Sequence, residues 1–150
     1  MQREYSQKSA LVTGGARGIG RAIAELLHRR GYRVAIADRD ADRGRKAAAE
    51  MGIAFIRCDV SRESSVRACV ARVAKRFGGL HALVNNAGIA SPQNGPVEKL
   101  ALAEWNRRLG SNLTGVFLMT KHAAPHLRRS RGAIVNIAST RALQSEPRCA

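Results

Sequence analysis

The chain has 150 residues, 45% of them hydrophobic, so it can bury one core and is too apolar for a disordered segment. No apolar run approaches the roughly 20 residues needed to cross a bilayer, and the polar first ten residues lack the apolar centre of a signal peptide. Three widely spaced cysteines, Cys58, Cys69 and Cys149, fit free thiols in a reducing compartment. We therefore expect one domain over residues 1–150 in the cytoplasm, without a membrane partner.

The charge is strongly basic, with 26 basic against 11 acidic residues and a net charge of +15. Such a balance can indicate nucleic-acid binding. However, the arginines are spread over every predicted helix, and aromatic residues for base stacking make up only 4% of the chain. We attribute the charge to an arginine-rich composition and expect no nucleic-acid partner.

Short apolar runs alternate with longer amphipathic stretches along the chain. In chain order they predict a strand at 10–13, a helix at 18–30, a strand at 34–37, a helix at 41–51, a strand at 53–57, a helix through residue 77, a strand at 80–85, a loop at 90–96, a helix at 102–127 and a strand at 133–138. The alternation predicts an α/β fold, a doubly wound parallel sheet that this chain carries as far as its fifth strand.

The helix boundaries follow from capping residues. Asp40 and Ser61 are predicted to cap the second and third helices, and Gly31 to end the first. The inner face of the last helix is predicted from apolar spacing to hold Trp105, Leu109, Leu113, Val116, Phe117 and Thr120.

The turn after the first strand reads Thr-Gly-Gly-Ala-Arg-Gly-Ile-Gly over residues 13–20. Glycines allow a sharp turn and close approach of a pyrophosphate, and the following helix offers free N–H groups with a positive dipole end. This context, a strand before the turn and a helix after it, predicts a dinucleotide site that includes Gly14, Arg17, Gly18, Ile19 and Gly20.

Asp38 closes the second strand, 18 positions after Gly20. A carboxylate at about this distance hydrogen-bonds the adenosine ribose and repels a 2′-phosphate, which favours NAD over NADP. Arg17 and Arg39 act against this preference, since either could pair with a phosphate. The alternative is that Asp38 only caps the turn.

Taken together, the ordered motifs resemble those of the short-chain dehydrogenases/reductases, a Rossmann-like family. The resemblance runs from about residue 8 to residue 147 and rests on the glycine turn, Asp59-Val60, the Asn-Asn-Ala-Gly of residues 85–88, Asn112 and Ser139. It implies hydride transfer between a nicotinamide and an alcohol or carbonyl carbon. It further implies that Asp59 and Val60 lie against adenine and that Asn86 and Gly88 contact the cofactor.

In such proteins a serine, here Ser139, hydrogen-bonds the substrate oxygen, and an asparagine, here Asn112, holds a water in a proton relay. A tyrosine acts as general acid/base, and a lysine lowers its pKa. At the family's spacing the Tyr-x-x-x-Lys pair falls just beyond Ala150, and the chain's two tyrosines are Tyr5 and Tyr32.

We therefore expect residues 1–150 to form a single incomplete NAD(P)-binding domain, inactive alone and marginally stable, with its fifth strand at an exposed edge. The longer form is expected to be a homo-oligomer acting on a small alcohol or carbonyl compound. The alternative function is a non-catalytic dinucleotide-binding or interaction module. No metal site is expected, because His122 and His126 share a helix face without a third ligand.

Overall fold

Five parallel strands form one sheet in a computed structural model that describes Tyr5, Leu143 and residues 7–89 and 96–140. The strands are Ser9–Thr13 (β1), Arg33–Asp38 (β2), Ala54–Arg57 (β3), Ala82–Asn85 (β4) and Ala133–Asn136 (β5). Their order across the sheet is β3-β2-β1-β4-β5, and every neighbouring pair is parallel. The predicted doubly wound parallel sheet is confirmed.

Helices cover both faces of this sheet. They are Gly18–Arg29 (α1), Ala41–Met51 (α2), Glu63–Phe77 (α3), Leu102–Leu109 (α4) and Gly115–Ser130 (α5). Alternate strand residues enter opposite cores: Leu11 and Leu83 pack with residues of α3 and α5, whereas Val12 and Val84 pack with residues of α1 and α2. No helix in the described part of the chain combines the length and apolarity needed to cross a membrane.

Two of the three predicted caps agree with the structure. The Asp40 carboxylate accepts the backbone N–H of Arg43 at 3.0 Å, and Gly31, with φ 98°, follows the C-cap residue of α1, Arg30. The predicted cap at Ser61 is wrong, because α3 begins at Glu63. The N–H and hydroxyl of Ser61 instead donate to the Asp59 carboxylate at 3.0 and 2.7 Å, which closes a turn before the helix.

The predicted single helix at 102–127 is interrupted by a π-helical turn at Gly110–Thr114, between α4 and α5. Its predicted inner face is also wrong, since the side chains of Trp105, Leu113 and Phe117 are 47%, 65% and 60% exposed. The buried face of α5 holds Gly115, Leu118, Met119, Ala123 and Leu127. α5 carries apolar residues on two sides, and only contact with α3 and β4 decides which side is buried.

The fifth strand lies at one edge of the sheet, and all four of its residues are exposed. Cys58 and Cys69 are buried and form no disulfide. Cys149 and all but Pro96 of the predicted 90–96 loop lie outside the described residues.

Candidate functional site

The carboxyl ends of the parallel strands meet at one edge of the sheet, which we call the carboxyl edge. A groove of about 530 Å³ runs along it. It brings together nine of the ten predicted cofactor residues, which are Gly14, Arg17, Gly18, Ile19, Asp38, Asp59, Val60, Asn86 and Gly88. The tenth, Gly20, is buried in the first turn of α1.

The glycine turn forms one wall of the groove and leaves no room for side chains behind it. A Cβ on Gly20 would lie 2.4 Å from both the Asn86 side-chain nitrogen and the Gly14 carbonyl oxygen. Gly18 differs, since it has φ 55° and a Cβ there would meet nothing within 4 Å. The turn is therefore packed tightly against the protein on one side and open on the groove side, as a pyrophosphate cradle requires.

The N-terminus of α1 lies in the same wall of the groove. Its N-cap residue, Arg17, makes no side-chain capping bond, and the first turn contains no acidic residue. The first N–H groups of the helix and its positive dipole end thus lack a negative partner from the α1 side chains. This arrangement suits an anionic ligand.

Hydrogen bonds with Thr13 and Gly14, at the end of β1, hold the Asn-Asn-Ala-Gly segment in place. The Thr13 hydroxyl oxygen accepts the N–H groups of Asn86 and Ala87, both at 3.0 Å, and donates to the Val84 carbonyl at 3.3 Å. The Asn86 side-chain amide donates to the carbonyls of Thr13 and Gly14 at 3.0 and 3.2 Å. The two predicted motifs are therefore one hydrogen-bonded unit, and the amide of Asn86 is used within it.

Asp38 lies at the end of β2 beside this unit. Its carboxylate accepts the backbone N–H groups of Ala16 and Asp40, at 3.3 and 3.1 Å. The capping alternative from the sequence thus has a structural basis. Each carboxylate oxygen can still accept another hydrogen bond, so turn capping and ribose binding are compatible. Arg17 and Arg39 line the same groove and are exposed.

Asp59 and Val60 follow β3 on the far side of the groove. The Asp59 N–H donates to the Ser65 hydroxyl at 3.0 Å, and its carboxylate holds Ser61. Val60 is nearly buried, and a Cβ on Gly115 would come within 2.8 Å of its side chain. The first residue of α5, Gly115, therefore packs closely against this wall of the groove.

Asn112 lies within the π-helical turn. Its side-chain oxygen accepts the Ile89 N–H at 2.8 Å, and its amide donates to the Ile89 carbonyl at 3.1 Å. A Cβ on Gly88 would lie 3.4 Å from the same oxygen. The amide of Asn112 thus fixes the chain segment that leaves β4.

Ser139 follows β5 at the carboxyl edge but does not line the groove. Pairing of the edge strands continues towards it, since the Ile137 N–H donates to the Asn85 carbonyl at 2.9 Å. Asn85 also donates to the Asn136 side chain at 2.9 Å. Tyr5 and Tyr32 lie at the amino ends of the strands, opposite the carboxyl edge, and their ring centroids are 4.9 Å apart.

The sequence motifs do not indicate several contributors to the groove, of which three are the most informative. Ile89 and Ser111 line the groove, and the Thr13 hydroxyl organises it. Ile89 follows the Asn-Asn-Ala-Gly motif and Ser111 precedes Asn112, so proximity to a motif was the available signal.

The histidine pair on α5 binds other groups. His122 contacts Glu63 at 2.9 Å, whereas His126 contacts Arg129 at 3.1 Å. Hydrogen bonds from Lys121, and then from His122, lower the pKa of Glu63. Among the described residues no group of three or more His, Cys, Asp or Glu side chains could hold a metal ion.

Comparison with known proteins adds the family. The sequence profile described as short chain dehydrogenase matches residues 8–150. The chain belongs to the short-chain dehydrogenase family. Among its relatives in that family is an L-fucose dehydrogenase of Bos taurus, 44% identical over 140 residues, which are 93% of this chain and 52% of that protein.

Two bacterial proteins are similarly related. A cis-4-hydroxycyclohexanecarboxylate dehydrogenase of Sinomonas cyclohexanicum is 43% identical over 144 residues, 93% of this chain and 57% of that protein. An uncharacterized oxidoreductase of Thermotoga maritima is 40% identical over 146 residues, 93% of this chain and 56% of that protein. The chain thus spans about half the length of these short-chain dehydrogenase relatives.

Proposed function

We propose that residues 1–150 form the NAD-binding part of an oxidoreductase that transfers hydride between NAD(H) and an alcohol or carbonyl carbon. The observation that carries this proposal is the groove, which gathers residues from four separate loops of the carboxyl edge. Family membership supports the reaction class. The nicotinamide ring, when bound, accepts or donates the hydride.

In this proposal, different groove residues bind different parts of the cofactor. The glycine turn and the N-terminus of α1 receive the pyrophosphate, because they offer free N–H groups and open space at Gly18. Asp38 receives the adenosine ribose, and Asp59 with Val60 borders the adenine. Ile19, which is largely exposed in the groove, offers an apolar contact to the cofactor.

NAD is the preferred cofactor in this proposal. The Asp38 carboxylate lies in the groove and would repel a 2′-phosphate. Arg17 and Arg39 oppose this effect as exposed cations in the same groove. Because the acid is fixed by two backbone N–H groups and the arginines are exposed, the fixed charge dominates.

For the chemical step, Ser139 would hydrogen-bond the substrate oxygen and Asn112 would belong to the proton path. Two relatives are named as dehydrogenases of L-fucose and of cis-4-hydroxycyclohexanecarboxylate, compounds that carry hydroxyl groups, which supports this class. The two tyrosines of the chain lie at the opposite edge of the sheet, so neither can move a proton at Ser139. The position of the two tyrosines, at the opposite ends of the strands from Ser139, favours the second candidate function for the 150 residues alone, a non-catalytic dinucleotide-binding module.

The test is calorimetric titration of the protein with NADH and NADPH. We expect NADH to bind more tightly than NADPH, and Asp38→Asn to shift the NADH-to-NADPH preference on the order of tenfold or more towards NADPH. Asp42→Asn, an exposed acid in the first turn of α2, removes the same charge outside the groove and serves as the control.

Failure to bind either dinucleotide would refute the proposal, and an equal shift in the control would refute the role of Asp38. An alcohol-dependent NADH assay then separates the two candidates. Loss of a general acid/base costs about 10²–10⁴ in rate. Binding without turnover indicates the module, whereas turnover at ordinary dehydrogenase rates indicates a complete enzyme.

A further inference from the structure

The amino ends of the strands, opposite the groove, carry an unusual concentration of positive charge. Lys8 directly precedes β1, and Arg33 is the first residue of β2. Arg29 ends α1, which runs back to this edge, and Arg30 is its C-cap. All four side chains are exposed.

The helices on the other face of the sheet end at the same edge. Lys75 and Arg76 lie in the last turn of α3. Arg128 and Arg129 lie in the last turn of α5, and Arg131 is its C-cap. These five residues are also exposed. We call the nine basic residues of the two faces the cationic edge.

Contacts between the elements show that these charges are neighbours. The guanidinium carbons of Arg33 and Arg76 lie 5.6 and 5.9 Å from the centre of the same Phe77 ring. The Arg33 N–H donates to the Lys8 carbonyl at 2.9 Å, which places the first two strand starts side by side. These basic residues are far apart in the sequence, and the parallel fold brings them close together.

The sheet continues this edge towards α5. The His81 N–H donates to the Ser9 carbonyl at 3.0 Å, and the Ala133 N–H donates to the His81 carbonyl at 2.9 Å. The last turn of α5 is attached at the same place, because the Ser130 hydroxyl donates to the Leu80 carbonyl. The cationic edge is therefore one surface across both faces.

Almost nothing in the described part of the chain neutralises this surface. None of the nine residues forms an ion pair with a described acidic side chain. In the described strand starts and last helical turns, the one acid is Glu50, which pairs with Arg21 at 2.9 Å. Four helix C-termini together add about two negative charges, far fewer than nine.

We propose that the cationic edge binds the phosphate backbone of duplex nucleic acid, independently of base sequence. This reverses the expectation drawn from the spread of arginines along the sequence. Seven of the nine residues are arginines, which pair with phosphate in a bidentate manner. The five strand starts span roughly 19 Å at about 4.8 Å each, a length over which duplex DNA carries about eleven phosphate charges.

The aromatic side chains favour a duplex over a single strand. The rings of Tyr5 and Tyr32 pack on each other, and Phe77 is covered by two guanidinium groups. The described aromatic rings at this edge are therefore partly covered by one another and by cations, which leaves less ring surface to stack on an unpaired base. Backbone phosphates remain as the chemistry that nine exposed cations can recognise.

The test measures fluorescence anisotropy of a labelled 20-base-pair DNA duplex, titrated with protein over a range of salt concentrations. We expect binding that weakens steeply with salt. The variant Arg76→Gln/Arg128→Gln/Arg129→Gln should reduce the slope of log Kobs against log salt by about 2.7, for three lost phosphate contacts. The glutamines keep the helical propensity of the exposed positions.

The control variant Arg45→Gln/Arg67→Gln/Arg107→Gln removes the same charge from exposed helix positions outside the cationic edge. We expect its slope and affinity to stay close to those of the unchanged protein. Equal losses in the two variants, no binding of the unchanged protein at 50 mM salt, or tighter binding of the single strand than of the duplex would each overturn the proposal.

Two further measurements identify the partner and the surface. Phosphatidylserine vesicles or polyglutamate that displace the duplex at equal charge concentration would indicate a membrane or an acidic protein instead. Saturating NADH should leave duplex binding unchanged, because the groove and the cationic edge lie at opposite ends of the strands. Competition by NADH would place the duplex at the groove and would also overturn the proposal.

Discussion

The two ends of the strands use their polar groups in opposite ways. At the carboxyl edge, acids and arginines occur together, with Asp38, Asp40 and Asp59 beside Arg39 and Arg57. Polar groups there mostly bond to one another and to the backbone. The opposite ends of the strands form the amino edge, where the nine exposed residues of the cationic edge have no described acidic partner. The same sheet thus ends in a groove ordered by hydrogen bonds on one side and in unbalanced charge on the other.

The direction of the helices explains why the charges separate. α1, α2, α3 and α5 run antiparallel to the strands, so their N-termini lie at the carboxyl edge and their C-termini at the amino edge. Acids are stabilised near helix N-termini and cations near C-termini. Helix dipoles explain why cations are favoured at the amino edge, but not their number, which exceeds what four helix ends can neutralise.

The strongest test of the carboxyl edge concerns a single hydroxyl. Thr13→Val keeps the side-chain shape but leaves the N–H groups of Asn86 and Ala87 without their acceptor. We expect the free energy of unfolding, measured by urea denaturation, to fall by about 1 kcal/mol or more for each partly buried N–H left unpaired, since the penalty for a fully buried one is about 1–3 kcal/mol. Thr120→Val is the control, because the Thr120 hydroxyl accepts one longer bond, 3.4 Å, from Asn85. Similar losses in both variants would show that Thr13 does not organise the groove.

A smaller effect is expected from the glycine turn. Gly20→Ala places a methyl group 2.4 Å from Asn86 and from the Gly14 carbonyl, so overpacking should destabilise the fold by about 1–3 kcal/mol. Within a helix, alanine is ordinarily preferred to glycine by about 1 kcal/mol, so the sign itself is informative. Gly52→Ala has open space but φ 68°, and should cost about 1–2 kcal/mol without affecting NADH binding. A stabilised Gly20→Ala protein would contradict the tight packing.

Nine residues selected from sequence motifs lie together at the carboxyl edge, because each motif is a short segment that follows a strand. Their role in cofactor binding stays a prediction. The glycine turn, Asp38 and Asn86 lie within short segments, and parallel strands bring such segments to one edge. Local patterns could not show that the Thr13 hydroxyl joins two motifs more than 70 positions apart. They also could not choose between the two apolar sides of α5, since that choice depends on contact with α3.

The cationic edge was missed for a related reason. Arg33, Arg76 and Arg129 are far apart in the chain, and no periodicity connects them. Only the common polarity of strands and helices brings them together. Composition correctly showed the excess of charge, but its location is a property of the tertiary fold.

The smallest predicted effect tests whether the amino edge resists further positive charge. Burial, then the charges of Arg33 and Lys8, lower the pKa of His81, whose ring nitrogen accepts the Ser9 N–H at 3.2 Å. A depressed histidine pKa means that the unfolded chain binds a proton first as the pH falls. The stability that neutral His81 contributes is therefore present above about pH 6.5 and is lost as the pH falls below it.

Unfolding free energies between pH 7.5 and 5.5 should fall less in His81→Asn, whose side-chain oxygen can still accept the Ser9 N–H, than in the unchanged protein. His28→Asn, in the last turn of α1, is the control for the loss of one histidine. Glu63 and Glu104 titrate below their usual range, so they do not contribute in this window. If His81→Asn keeps the same pH dependence, neither burial nor the charges of Arg33 and Lys8 lower the pKa of this ring, and the cationic edge acts only on solvent and on partners.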